Sequence, residues 1–224
     1  MSRYLKDIDP YNHLVTTSIS HRDIVGMNSI AYIDFNQKHI YKHTEKIPAI
    51  YPDYIQTFGK PYVIGEFGFR WEDQDTKYAK EAVYDFKRGL WFGLFSPTPI
   101  LPMSWWWELF DDQKMAPYFR SDQMLKVGNG NFEQVELAGD SFRSHGVKCG
   151  NKYFIYLLNE SDENITAPVS ITVANDKKFS VLTFIPIEMK YSKIKNFKID
   201  HKKLVFDPIV LGGKQDMILI VTAD

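Results

Sequence analysis

The chain of 224 residues sets 27 Lys and Arg against 28 Asp and Glu, a net charge of -1, with 44% hydrophobic and 25% charged residues. That balance belongs to an ordinary globular chain with room for one large or two modest domains, and it favours neither nucleic acid nor an anionic membrane as a partner. The single Cys149 excludes an internal disulfide, no apolar run approaches the roughly 20 residues of a membrane span, and no opening basic and apolar segment resembles a signal peptide, so the compartment stays open.

Ser2 to Ile8 reads as the last turns of an amphipathic helix, with Tyr4, Leu5 and Ile8 apolar and Asp9 and Pro10 as its stop. His13, next to Asn12, reads as ordering the turn that follows. Leu14 to Ile19 is expected as a β-branched strand, and Ile33 to Tyr41 as another in which Phe35, His39 and Tyr41 share one face. Lys42 to Phe58 has helical spacing, and Pro48 and Pro52 are expected to shorten or break it. Lys60 to Phe69, KPYVIGEFGF, carries the apolar run Tyr62, Val63 and Ile64 and ends in Gly65, Glu66 and Gly68. Such a run reads as a strand covered on both faces, in a parallel sheet. Chemistry gathers at the carboxyl ends of parallel strands, where side chains leave the packed interior, and Glu66 stands at that place.

Asp75 to Phe95 is the clearest helix, since Tyr78, Ala82, Val83, Phe86, Leu90 and Trp91 recur at helical spacing before Pro97 and Pro99 end it. Ile100 to Trp107 is expected as a fourth strand, with Glu108 just past its end. Three adjacent Trp side chains on a strand cannot all face one way, so at least one of Trp105, Trp106 and Trp107 packs behind the sheet. Strands alternating with helices predict an α/β fold with a parallel sheet.

The series DPYNHLVTTS, HIY, KPYVIGEFG and ILPMSWWWE resembles the second half of a glycoside hydrolase family 5 protein of the cellulase and mannanase type. The resemblance covers about residues 1 to 120 and implies strands five to eight of a (β/α)8 barrel. It also implies a retaining glycosidase acting on oligo- or polysaccharides, with Glu66 as nucleophile and His39 and Tyr41 beside the sugar that is cleaved. One of Trp105 or Trp106 becomes a stacking floor. The family places its acid/base Glu in an Asn-Glu pair at the end of strand four, and the 224 residues are expected to begin after that point. Glu108 and Glu72 are the carboxylates nearest in sequence, although neither lies where the family has its acid. The alternative is a non-catalytic truncated homologue that keeps a sugar-binding or structural role. No cofactor is called for, and no His has metal-ligand spacing, so no metal is expected. A half-barrel leaves open sheet edges, which implies self-association.

Beyond about Asp122 helical periodicity stops, and Gly128, Asn129, Gly130 and Asn131 read as a linker. Short strands are expected at Tyr153 to Leu158, Val169 to Ala174, Phe179 to Ile185, Phe197 to Ile199, Leu204 to Phe206 and Met217 to Thr222. They predict a β-sandwich, so that residues 1–124 form a half-barrel and 125–224 a sandwich domain. This part resembles the small all-β domain that follows the barrel in several glycosidase families. Asn159 to Ser161 and Asn164 to Thr166 match the N-glycosylation pattern.

Overall fold

The computed structural model describes residues 1–19, 22–69, 76–96, 104, 106–120, 131–173 and 178–223. They fall into two compact units, Met1–Leu109 and Phe110–Asp224.

In the first unit, helix α1 (Ser2–Ile8) ends at Asp9. The Asp9 carboxylate accepts the backbone N–H groups of Tyr11 and His13 at 3.0 and 2.6 Å and faces His13 Nδ1 at 3.0 Å. Those backbone bonds hold its pKa below the usual carboxylate value and close the turn. The expected strand Leu14 to Ile19 does not form a ladder. Side-chain bonds pin it instead: Val15 N–H donates to Asp34 Oδ2 at 2.6 Å, and Thr16 Oγ1 donates to the Phe35 carbonyl at 2.7 Å. A single backbone bond, Asp34 N–H to the Val15 carbonyl at 2.8 Å, joins the two segments there.

Strands β1 (Asn36–Tyr41) and β2 (Tyr62–Gly68) pair in parallel. Their register runs Gln37 to Val63 and Lys38 to Ile64, then jumps to His39 opposite Glu66 and Tyr41 opposite Gly68. Gly65 is the extra residue, a bulge that re-aims everything after it. A Cβ on Gly65 would stand 2.1 Å from Gln37 Nε2, so a side chain there would displace that of Gln37.

Helix α2 (Ile47–Phe58) is shorter than the expected Lys42 to Phe58, as the prolines implied, but it is not broken at either of them. Pro48 lies in the first turn, where its missing N–H has no intrahelical partner to lose, and Pro52 removes one interior bond. Gly59, left-handed at φ 62°, stops the helix, its N–H donating to the Ile55 carbonyl at 2.8 Å. Tyr51 on α2 is buried, and its hydroxyl donates to the Tyr62 carbonyl of β2 at 2.6 Å. Helix α3 (Ala79–Leu94) follows a 3-10 turn at Thr76–Tyr78 and buries Phe86, Leu90 and Trp91. Gly89 lets α3 approach β2 closely, since a Cβ there would fall 2.0 Å from Phe67.

Of the expected fourth strand, residues 100–103 and 105 lie outside the described residues. Ser104 makes one parallel bridge to Phe67, and Trp107 opens helix α4 (Trp107–Asp112), so Trp107 is a helical rather than a strand residue and Glu108 follows it in the first turn. Two acidic side chains near the end of so short a run, with no alternation after Trp106, leave nothing to extend the ladder.

In the second unit β3 (Phe132–Gln134), β4 (Leu137–Ala138), β5 (Arg143–Cys149), β6 (Lys152–Leu158), β7 (Ile165–Thr172), β8 (Phe179–Ile185), β9 (Lys190–Ile194), β10 (Phe197–Asp200), β11 (Lys203–Leu211) and β12 (Asp216–Ala223) make two antiparallel sheets. Their orders are β10-β11-β7-β4 and β3-β5-β6-β12-β8-β9. Alternate residues of both sheets meet in one core: Ala167, Val169 and Ile171 of β7 and Leu204, Phe206, Ile209 and Leu211 of β11 from one side, Ile155, Leu157, Leu219 and Val221 from the other. Period-two alternation is kept across β11 by a bulge between Phe206 and Ile209 that accommodates Asp207 and Pro208, a place where a strand tolerates proline. β6 is buried on its other face too, where Tyr156 and Tyr118 donate to the two oxygens of Asp216 at 3.3 and 2.5 Å.

Asn159 is fully buried at the end of β6, and its amide nitrogen donates to the carbonyls of Glu163, Leu211 and Gly212 at 2.8, 3.1 and 2.9 Å. The first of the two sequence matches to a glycosylation site is therefore a structural clamp, whereas Asn164 is exposed. Replacing Asn159 by Ala leaves these carbonyls without their donor and is expected to destabilise the second unit by about 3 kcal/mol. Urea unfolding of Asn159→Ala followed by near-UV circular dichroism checks this, and an unchanged midpoint would refute it.

Candidate active site

The bulge at Gly65 sets the site. Because β1 and β2 are parallel and in register after it, His39 and Glu66 lie side by side, and Tyr41, two residues on, shares their face. Tyr41 donates its hydroxyl proton to Glu66 Oε2 at 2.5 Å, and His39 Nδ1 lies 3.1 Å from the same oxygen. Gly68, opposite Tyr41, leaves room for rings: a Cβ there would come within 3.3 Å of Trp106 and 3.6 Å of Tyr41. Glu66 is thus held by two donors on one oxygen, with its side chain 21% exposed, while His39 is buried at 8%. Among the described residues Oε1 of Glu66 has no hydrogen-bond partner.

His39 is itself supported. Its Nε2 lies 3.0 Å from Ser18 Oγ and 3.4 Å from Gln37 Nε2. Burial and the hydrogen bond to Glu66 push the Tyr41 phenol well above its ordinary pKa, because the phenolate would lose water and face a carboxylate.

Of the residues singled out from sequence, His39, Tyr41 and Glu66 come together, and Trp106 stands next to Tyr41 across Gly68, buried at 4%. Trp105 and Glu72 lie outside the described residues. Glu108 is exposed in the first turn of α4 and makes no contact with Glu66 among the described residues. Ser18 and Gln37 were not singled out; the alternation Gln37, His39, Tyr41 was the signal for the second. Among the described residues no group of three or more His, Cys, Asp or Glu side chains is placed to hold a metal.

No family model matches the sequence, and no curated protein does. Solved structures do match. The chain aligns over 100% of its length with a family 30 endoxylanase from Clostridium papyrosolvens, at TM-score 0.61 and 15% identity. The chain is similar in fold to that part of a glycoside hydrolase. A family 30 subfamily 8 xylanase from Clostridium acetobutylicum matches 86% of the chain at TM-score 0.51 and 16% identity, and a family 44 xyloglucanase from Paenibacillus polymyxa 100% at TM-score 0.51 and 10% identity. The chain spans 60%, 49% and 59% of these three proteins.

The phenol of Tyr41 is expected to keep its proton well past the ordinary tyrosine pKa of about 10. The raised pKa means that its contribution to stability is full below about pH 10 and is lost as pH rises through the higher folded value. Ultraviolet titration of the folded chain should show the same number of phenols ionising below about pH 11 in Tyr41→Phe as in the parent; one fewer in the variant would refute the assignment.

Proposed function

We propose that the chain is the carboxyl-terminal portion of a retaining β-glycosidase of the cellulase and mannanase type, close to family 5, with Glu66 as its nucleophile. On this reading the first unit supplies strands five to eight of a (β/α)8 barrel, with a domain limit near residue 124, and the second unit is its β-sandwich. The observation that carries it is Glu66 at the carboxyl end of β2, held on Oε2 by Tyr41 and His39 with Oε1 left to react. Glycoside hydrolases share the fold, which supports the chemistry without choosing a sugar.

In this mechanism Oε1 attacks the anomeric carbon, the glycosidic bond breaks, and a glycosyl-enzyme ester forms and is then hydrolysed. Tyr41 and His39 fix the carboxylate and are positioned to share its proton-free charge until attack. On this reading His39, Tyr41 and Trp106 line the sugar site. The leaving oxygen needs a proton from a second carboxyl about 5 to 5.5 Å away. The exposed place of Glu108 argues that this acid comes from outside the 224 residues. The same observation gives weight to the alternative, a non-catalytic homologue that binds carbohydrate or serves a structural role.

A 2-deoxy-2-fluoro glycoside with a dinitrophenolate leaving group needs no acid, and separates the two. It is expected to label Glu66 covalently, as read by peptide mass, and not to label Glu66→Gln; a label on another residue, or none, overturns the nucleophile. Unactivated cello- or manno-oligosaccharides should turn over at a negligible rate, since a positioned general acid contributes about 10² to 10⁴-fold. Efficient turnover would show that a carboxylate within the chain, Glu108 first among them, completes the site.

Tyr4, Ile8, Tyr11, Leu14 and Val25 are exposed within the first unit, at 61, 55, 81, 73 and 102%. With open barrel edges these would be covered by a second copy. Light scattering should show mass rising with concentration, and a monomer throughout would count against it.

A further inference from the structure

Ser18 is exposed and sets its Oγ 3.0 Å from His39 Nε2, while Nδ1 of the same ring lies 3.1 Å from Glu66 Oε2. A hydroxyl, a buried imidazole and a carboxylate are thus joined through the correct ring atoms for a nucleophile, its base and the group that orients the base. Glu66 sets the direction of the proton. A carboxylate only accepts, so the ring proton sits on Nδ1 facing Oε2 and Nε2 holds the lone pair, with the Gln37 amide nitrogen 3.4 Å from it. In that tautomer His39 is a base aimed at the Ser18 hydroxyl.

We propose that Ser18, His39 and Glu66 form an acyl-transfer site that hydrolyses esters of acidic alcohols and phenols, an activity distinct from glycoside cleavage. Ser18 Oγ attacks the ester carbonyl carbon as its proton passes to His39 Nε2. The tetrahedral adduct collapses, its bond to the leaving oxygen breaks, and Nε2 returns the proton to that oxygen. Water, deprotonated by Nε2, then cleaves the acyl-Ser18 ester to release the acid and restore the hydroxyl. Once Nε2 is protonated it no longer accepts from Gln37, whose amide is then released as a donor for the oxyanion. Glu66 serves here only to orient the ring and forms no covalent bond, so the site goes beyond the glycosidase reading and does not require it. Activated esters are the expected substrates because their leaving groups ask least of oxyanion stabilisation.

The test uses the 224-residue chain with 4-nitrophenyl acetate and with an alkyl fluorophosphonate. The fluorophosphonate is expected on Ser18 by peptide mass, and hydrolysis above the buffer rate should fall by about 10²-fold or more in both Ser18→Ala and His39→Gln. Ser18 is exposed, so its alanine variant should keep the parent circular dichroism, and Ser18→Cys should restore acylation as a thioester visible by mass. Labelling that persists in Ser18→Ala, or rates within about two-fold of the parent in both variants where 10²-fold is expected, would overturn the proposal. The fluoroglycoside reads Glu66 independently: a label on Glu66 without one on Ser18 removes the ester site alone, and the reverse pattern removes the glycosidase alone.

Discussion

The site rests on the close contact between Gly65 and the side chain of Gln37. With any Cβ at position 65 the Gln37 side chain would have to leave its place beside His39, at the point where the register of the strands changes. That change is what puts Glu66, rather than Gly65, beside His39. Side chains on a strand alternate between faces, so one residue more or less in the ladder would turn the carboxylate away from both of its donors. Gly68 plays a second part at the same edge, admitting Trp106 and the Tyr41 ring where a larger residue would crowd them. Two glycines three residues apart therefore shape a pocket floor that the apolar part of β2 could not make alone.

What holds the strand pair in place is burial from the opposite side. Tyr51 of α2 and Phe86 of α3 cover β2, Phe67 and Phe86 stacking with ring centroids 6.1 Å apart. Asp85, fully buried on α3, accepts from Thr44 at 2.8 Å and pairs with Arg88 at 3.0 Å. Burial raises the pKa of this carboxyl, with Thr44 and Arg88 opposing the shift. The bond to Thr44 ties α3 to the turn that follows β1, and so to the end of the strand that bears His39 and Tyr41. The second unit reaches order by a different route, two sheets whose alternating apolar faces share a core, with a bulge spent on Pro208 to keep the alternation in phase.

Strong periodic signals were legible in the sequence. The run Tyr62 to Ile64 and the apolar spacing of α3 fall within observed elements, and the expected strands of the second unit overlap β6, β7, β8, β10, β11 and β12, although β7 begins four residues earlier than its pattern and β11 runs five residues beyond. The failures share a cause: local pattern says nothing of what a neighbouring segment will do with hydrogen bonds. Leu14 to Ile19 has strand-forming residues, yet Asp34 takes both the N–H and the carbonyl of Val15. Pro48 and Pro52 look like breakers, yet one falls where no bond is lost and the other costs one bond in a helix held by Tyr51. The polar edge strands β3 and β9 went unread because an edge strand is charged and exposed on purpose, which erases the apolar period, and β5, between β3 and β6, carries too few apolar residues in alternation to show one. Trp107 lost its strand to α4 for want of any alternation beyond it. Ser18 was hidden altogether, since its contact with His39 spans 21 positions of chain.

Asn159 carries a consequence for biosynthesis. Its amide nitrogen, the atom to which an N-linked glycan would attach, is sealed against three carbonyls in the finished fold, and the flanking residues Glu160 and Ser161 still spell a recognition sequence. An oligosaccharide transferase acts on extended chain. In a compartment holding that enzyme, sugar transfer and closure of this loop would compete in time, and a chain modified first could never seat the loop against Leu211 and Gly212. The yield of native protein from a eukaryotic secretory host would then be set by a kinetic race at one side chain, while exposed Asn164, five residues on, could take a glycan without such a penalty.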